Sequence, residues 1–477
     1  MCAWACELKE RHSQDCTYPV ALRCNRYEQN KRAVLSISWA GARRKHFLDP
    51  FNKWRITMKI GVVGGGGREH AIIKTLKKNS SIEKIYAIPG NGGIARDAEC
   101  VPDIKATDVP AVVKFCKDQA LDYVVVAPDD PLVAGTVDEL AKAGIPAFGP
   151  EAKAAIIEGS KVFSKNLMKK YNIPTAAYEV FNDIEKAEEY VKTCPIPTVI
   201  KADGLALGKG VIIAMTREEA LDGIKTIMEE KKFGHSGDQI VIEEFLEGPE
   251  VSVLSFTDGN VVVPMISSMD HKRINDNDEG LNTGGMGTIA PNPYYTKEIA
   301  SECMEKIFKP TIEAMNKEGR TFKGCLYFGL MLTKNGPKVI EYNCRFGDPE
   351  TQVVLPLLDS DLLTIMQATT NGTLSELDIK WKNESACCIV EASGGYPLSY
   401  KSGYEITGVD EVQNVYVAGA DLKDGKLYTH GGRVLGVVET APTLKEAIDK
   451  AYESASKVTF RDMHMRKDIG QRALKAL

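Results

Sequence analysis

The chain has 477 residues, enough for several domains that each bury a core. Its 43% hydrophobic and 26% charged content is that of a globular protein, and no apolar run approaches the ~18 residues of a membrane span. The first 57 residues carry six more basic than acidic side chains, which leaves the other 420 at −11, an acidic body that argues against nucleic-acid binding.

Residues 1–57 hold four of the twelve cysteines and three of the four tryptophans, lack an apolar h-region, and space their cysteines poorly for zinc. Met58 then opens a strand of the kind that starts α/β proteins. Residues 1–57 are therefore expected to be a disordered extension outside the fold, removable with little effect on activity or melting temperature. The eight remaining cysteines form no C-x-x-C pair, and Cys387–Cys388 sit in an apolar run, which reads as reduced, intracellular usage. A cytoplasmic protein is expected.

From 58 to about 150, short apolar strands (KIGVV, KIYAI, YVVVAP, IPAFG) alternate with helical stretches, the signature of parallel βαβ architecture. The first strand runs into GVVGGGGREHA (61–71), a glycine turn that would let backbone N–H groups approach a phosphate. A dinucleotide fits badly. The third glycine of G-x-G-x-x-G falls on Glu69 or His70, and the next strand, KIYAIPGNGG (84–93), ends without a carboxylate for a ribose. It ends in a second glycine turn instead, and two such turns at neighbouring strand ends suit a single phosphate group. APDDPLVAG (127–135) follows at the third strand end, the edge where such sheets bind ligands.

A helix is expected at about 159–171, then a smaller unit at 177–247. Within it, VIKADGLALGKGVIIA (199–214) sets Lys201 at a strand end and Lys209 in a loop with Gly204, Gly208 and Gly210. The spacing is not that of a Walker A loop, and the segment joins strand to strand. Next, VIEEFLEGPEVSV (241–253) crosses between units, where Glu243, backbone near Phe245 and Leu246, and Glu250 could meet an adenine and a ribose. Strands resume to about 380, among them VIEYNCRFGDPE (339–350). Residues two apart in a strand share a face, so Glu341, Asn343 and Arg345 project together. A carboxylate beside an amide oxygen suits Mg²⁺, and an arginine next along can neutralise a phosphoryl group. The last hundred residues turn to short strands before two helices.

These stretches, with Lys161, resemble in order the ATP-grasp enzymes. REHA, PGNGG, SMDHKR, NTGGMG, EYNCRFGDPETQ and GGRVLGV narrow the resemblance to the phosphoribosylamine–glycine ligase family, from Met58 to about Arg472. It implies an α/β fold with an N-terminal parallel βαβ domain at 58–158, ATP-grasp domains at 159–380 carrying a lid at 177–247, and a small β-rich C-terminal domain at 381–477. It further implies ATP as co-substrate, Mg²⁺ or Mn²⁺, and the ligation of glycine to 5-phosphoribosylamine by way of glycyl phosphate. The resemblance gives Lys161, Lys201, Lys209, Glu243, Phe245, Leu246 and Glu250 to ATP, and Glu341 and Asn343 to the metal. Arg345, Asp270 and Lys272 take catalytic positions. Asn282, Gly284 and Gly285 line the glycine and amine pocket, and Gly66, Gly67, Arg68, Glu69, Gly92 and Gly93 receive the sugar 5-phosphate.

Three positions depart from the family's habit: Met269, the Asp129–Asp130 pair and Val417. The chain stops where longer relatives continue into two more purine-synthesis enzymes, so a monofunctional protein is expected, and separately a monomer. The alternatives are another ATP-grasp ligase or carboxylase of purine synthesis, and a non-catalytic nucleotide-binding module.

Overall fold

The computed structural model describes residues 57–206 and 210–477. Lys209 and, but for Thr57, the expected extension lie outside the described residues. Five strands, β1 (Met58–Gly64), β2 (Ile82–Pro89), β3 (Glu99–Cys100), β4 (Tyr123–Val126) and β5 (Ala147–Phe148), make an all-parallel sheet in the order β3-β2-β1-β4-β5. Their runs are apolar on both faces because alternate residues enter two cores. Ile60, Val62 and Val125 pack into one, and Val63, Val124 and Val126 into the other.

The chain leaves β1 through helix α1 (Gly67–Leu76) toward β2, and β4 lies on the opposite side of β1. The strand order therefore reverses between β1 and β4, which opens a crevice at their carboxyl ends. Arg68 stands just past β1 and Asp129 just past β4, so both reach it. Glu69 fixes the entry to α1, because its Oε2 accepts from the Gly66 N–H at 2.5 Å as half of a capping box.

Ser160 caps the helix Lys161–Lys170 by accepting from the Phe163 N–H at 3.0 Å. Beyond it β6 (Tyr178–Phe181), β7 (Thr198–Ala202), β8 (Val211–Ala214) and β9 (Ile240–Glu244) form an antiparallel sheet, β6-β9-β7-β8. With the helices Ile184–Thr193 and Arg217–Ile224 it buries a core of its own around Val191, Ile200, Ile224 and Ile240. A second antiparallel sheet follows, in which Glu250–Thr257 pairs with Gly324–Thr333 and the latter with Gly336–Asn343. Leu254, Phe256 and Tyr327 from one face join the first core, and Val253, Leu326 and Phe328 from the other join the second.

The C-terminal sheet centres on two nine-residue strands, Ser385–Ser393 and Arg433–Ala441, with the helix Leu444–Ala455 packed on it. It is completed from the middle of the chain: Gly287–Ala290 pairs with Ser385–Ser393, and Met269–Asp270 pairs with Gly287–Ala290. The strands Met269–Asp270 and Gly287–Ala290 thus join the last sheet although they lie well before residue 381. Among the described residues, no helix is long and apolar enough to cross a membrane.

Candidate active site

One cleft of about 910 Å³ runs between the small antiparallel sheet, the larger one, the β1/β4 crevice and the C-terminal sheet. Lysines form one wall. Lys161 opens its helix and donates to the Gly204 carbonyl at 3.0 Å, and Lys201, at the end of β7, donates to the Ile340 carbonyl at 3.1 Å. Glu243 in β9 takes Lys165 at 2.9 Å and Lys201 at 3.1 Å on one oxygen, Oε2. Its Oε1 is buried without a hydrogen-bond partner among the described residues. Burial lowers the Lys165 ammonium to about 8 and also lowers Lys161, because a low-dielectric wall disfavours the charged form. Phe245, Leu246 and Glu250 line the same cleft where the two sheets meet.

The floor is the end of the strand Gly336–Asn343. Glu341 and Asn343 face the cleft as the strand period requires, and Arg345 sits just past the strand end. Arg345 Nη2 donates to Asn343 Oδ1 at 3.2 Å and pairs with Glu158 at 2.8 Å and Asp129 at 3.7 Å, while its Nε is buried and has no partner among the described residues. Burial alone would raise Glu341, yet Lys272, Lys201, Lys161 and Arg345 hold it below the usual carboxylate range. It is therefore ionised and ready for a cation. One carboxylate and one amide oxygen are few ligands, and among the described residues no group of three His, Cys, Asp or Glu could hold a metal ion. That count fits Mg²⁺ or Mn²⁺ completed by phosphate oxygens and water, not a cage built by protein alone.

At the far end Asp270, Lys272, Asn282 and Gly284 line the cleft with Arg68, Asp348, Glu350 and Arg433. Lys272 lies 3.4 Å from Glu250 and 3.9 Å from Glu341, and chiefly the Glu250 charge raises its ammonium. Burial and the neighbouring Glu350 raise Asp270. Gly285 does not line the cleft. It adopts φ +110°, and a Cβ there would stand 2.5 Å from Asp270 Oδ1, so the glycine lets the chain pass that carboxylate.

The glycine turns differ from the expectation. Gly66, Gly67, Gly92 and Gly93 do not line the cleft. The Gly92 N–H donates to the Ala420 carbonyl at 2.7 Å, and the Gly93 N–H to Asn91 Oδ1 at 2.8 Å. A Cβ on Gly92 would lie 2.4 Å from the Leu422 nitrogen, and one on Gly93 2.3 Å from Val417 Cβ. A Cβ on Gly67 would meet Gln352 Nε2 at 2.6 Å. Gly92 needs to be glycine because other backbone packs against it, Gly67 and Gly93 because side chains do, and the Gly92 and Gly93 amides are already spent. Glu69 also stays out of the cleft, holding Gly66 and Arg68 Nε, the latter at 2.7 Å. Of that group only Arg68 faces the site. His70 of REHA ties the domains together, accepting from the Val417 N–H at 2.8 Å.

Sequence reasoning passed over Lys165, Glu158, Asp348, Glu350 and Arg433 as site residues. Lys165 follows Lys161 by four positions and so shares its helix face, a signal that was available. Asp348 and Glu350 lie in the same run as Arg345. Nothing local marks Glu158, whose place depends on how its helix docks.

Two antiparallel sheets gripping one cleft, lysines on the smaller and an E-x-N-x-R row on the larger, define an ATP-grasp protein. The family descriptions agree domain by domain: Phosphoribosylglycinamide synthetase N domain matches residues 58–158, its ATP-grasp (A) domain 159–351 and its C domain 386–472. The phosphoribosylamine–glycine ligase of Caldanaerobacter subterraneus is 49% identical over 414 residues, 86% of this chain and 99% of that one. That of Clostridium acetobutylicum is 47% identical over 415 residues, 87% of this chain and 100% of its own. The crystal structure of the Thermotoga maritima phosphoribosylamine–glycine ligase aligns with TM-score 0.75 at 36% identity, covering 86% of this chain and 99% of that one. The chain belongs to the phosphoribosylglycinamide synthetase family.

Proposed function

We propose that the cleft joins glycine to 5-phosphoribosylamine with ATP, giving glycinamide ribonucleotide, ADP and phosphate in purine synthesis. The observation that carries this is the Glu341–Asn343–Arg345 row facing Lys161 and Lys201 across one cleft. A carboxylate is a poor acyl donor, so the γ-phosphoryl group of ATP first passes to a glycine carboxylate oxygen. The sugar amine then attacks the carbonyl carbon of glycyl phosphate, the C–O bond to phosphate breaks, and phosphate leaves. Both steps depend on positioning and charge neutralisation, and no covalent protein nucleophile is needed.

Lys161, Lys201 and Lys209 would hold the nucleotide phosphates, with Glu243, Phe245, Leu246 and Glu250 at the adenosine. Arg345 would neutralise the phosphoryl group in transit. Glu341 and Asn343 would hold Mg²⁺ or Mn²⁺, which when bound screens phosphate charge. Asp270, Lys272, Asn282 and Gly284 would line the glycine and amine pocket, where the close carboxylates Asp270 and Glu350 favour an ammonium. Arg68 and Arg433 supply the positive charge a sugar 5-phosphate needs. The small sheet at 177–247, with its separate core, would act as the lid that excludes water from the acyl phosphate. We place the reaction in the cytoplasm and in a monomer, which light scattering of the purified chain would check.

The test is ADP release with glycine, with and without phosphoribosylamine made in situ from ribose 5-phosphate and ammonia. ADP release that needs both substrates supports the ligase. ADP binding without phosphate release would favour a non-catalytic module, and turnover on bicarbonate a carboxylase.

A further inference from the structure

The strands Arg273–Asn275 and Glu279–Asn282 pair only with each other, as a two-stranded hairpin. Such a hairpin is marginal in water unless something else holds it. This one lacks an apolar underside: residues 277–281 are all exposed. Its tip is also costly, because Asn277 and Asp278 both take left-handed φ, +60° and +55°. Yet its base carries Lys272, Asn282, Thr283 and Gly284 into the cleft.

What holds it is a clasp from the C-terminal segment. Arg466 is 1% exposed and does not line the cleft. Its Nε and Nη2 donate to the two oxygens of Asp468, each at 2.8 Å, a bidentate pair that fixes the guanidinium plane. Its Nη1 donates to Asp278 Oδ1 at 2.9 Å and to the Arg273 carbonyl at 3.1 Å. Backbone completes the grip: the Asn277 N–H donates to Asp468 Oδ2 at 2.8 Å, and the Lys467 N–H to Asp276 Oδ1 at 2.7 Å. At the cleft end Thr283 Oγ1 donates to the Lys272 carbonyl at 2.8 Å, so the two arms move as one piece.

We propose that Arg466, with Asp278 and Asp468, is a positioning clasp that sets the 272–284 hairpin over the end of the cleft that receives glycine and the sugar amine. The inference rests on the reading of that end given above. Burying a guanidinium is worthwhile only when its N–H groups are directed; Arg466 makes four such bonds, two of them to the hairpin that presents Lys272 and Asn282, and two backbone N–H bonds add to these. Arg466 and Asp468 stand outside the cleft and act through those residues, whereas Asp278 also reaches the cleft lining.

The test uses the full chain and Asp278→Ala, whose loss leaves the Arg466–Asp468 pair intact, together with Arg466→Lys, which alters no cleft-lining residue, since Asp278 is exposed and reaches the cleft. The expected result is a KM for glycine or phosphoribosylamine raised about fivefold or more, with kcat within about twofold and ATP affinity by calorimetry unchanged. Amide exchange over 274–284 should quicken while β7 keeps its protection. Asp278→Asn, which retains the acceptor, should restore the wild-type KM. Arg466→Lys should exceed Asp278→Ala in the same parameters if it folds. Faster exchange with unaltered KM values would overturn the proposal, leaving Arg466 a purely structural residue. A selective rise in the KM for ATP would instead overturn the assignment of this end to glycine and the amine.

Discussion

The floor of the cleft and the glycine turns outside its lining are built for opposite purposes. On the floor and lysine wall, polar atoms remain uncommitted: Glu243 Oε1 and Arg345 Nε are buried with no partner among the described residues, and Glu341 is kept ionised by cations around it. Buried groups of this kind cost free energy unless a ligand meets them. At the turns the reverse holds. Gly92, Gly93 and His70 are bonded or packed against residues 417–422, so their polarity is consumed in docking the N-terminal sheet onto the C-terminal one. A polar group left unsatisfied in the cleft wall is free to meet a ligand, whereas a glycine marks only where something comes close.

Substitutions can break that contrast. The largest effect should come from Glu341→Ala, which removes the only carboxylate in the floor row. Turnover should fall at least about a thousandfold, roughly 4 kcal/mol of transition-state stabilisation. Calorimetric melting should be nearly unchanged, because the site is not part of the packing. Turnover within tenfold of wild type at ordinary Mg²⁺ would remove Glu341 from the site. Gly92→Val should do the opposite. Its Cβ meets Leu422 and Asp421 backbone at 2.4 and 2.5 Å, neither able to yield as a side chain would. The expected loss is about 3 kcal/mol of stability, on the scale of severe overpacking. KM values measured on the remaining folded fraction should change little for any substrate. A stable Gly92→Val protein with a raised KM for phosphoribosylamine alone would return the turn to the substrate.

The same contrast explains what could be read in the chain itself. Parallel strands, the helix at 161–170, the hinge and the E-x-N-x-R row follow from local periodicity, and each was legible because its meaning is carried by neighbours within a few residues. Lys161, Lys201, Glu243, Asp270, Lys272, Glu341, Asn343 and Arg345 do face one cleft. The glycine turns were not legible, since glycine admits close approach by an anion or by protein backbone, and only the docking of residues 417–422 distinguishes the two. Glu158, Arg433 and Arg466 depend on contacts across about 85 to 190 positions and leave no local trace. Strand 287–290 pairing into the C-terminal sheet is non-local in the same way.

The smallest effect probes the C-terminal sheet against which the turns dock. Glu391 lies in the central strand Ser385–Ser393, fully buried, and neither carboxylate oxygen has a hydrogen-bond partner among the described residues. Burial pushes its carboxyl up from an ordinary 4.5 to about 9. Below pH 4.5 the folded and unfolded chains both carry the proton, and Glu391 costs nothing by ionisation. As pH rises the unfolded chain ionises while the folded one must keep its proton, so stability falls at up to about 1.4 kcal/mol per pH unit until the folded carboxyl titrates. Glu391→Leu removes that term and should stabilise the protein clearly more at pH 8 than at pH 5. Chemical denaturation of both proteins at the two pH values is the measurement. An equal gain at both would mean that Leu merely packs better, and a loss at pH 8 would mean that the carboxylate has a partner. Activity per folded molecule should not move, because this buried polarity, unlike that of Glu243 and Arg345, lies outside the cleft.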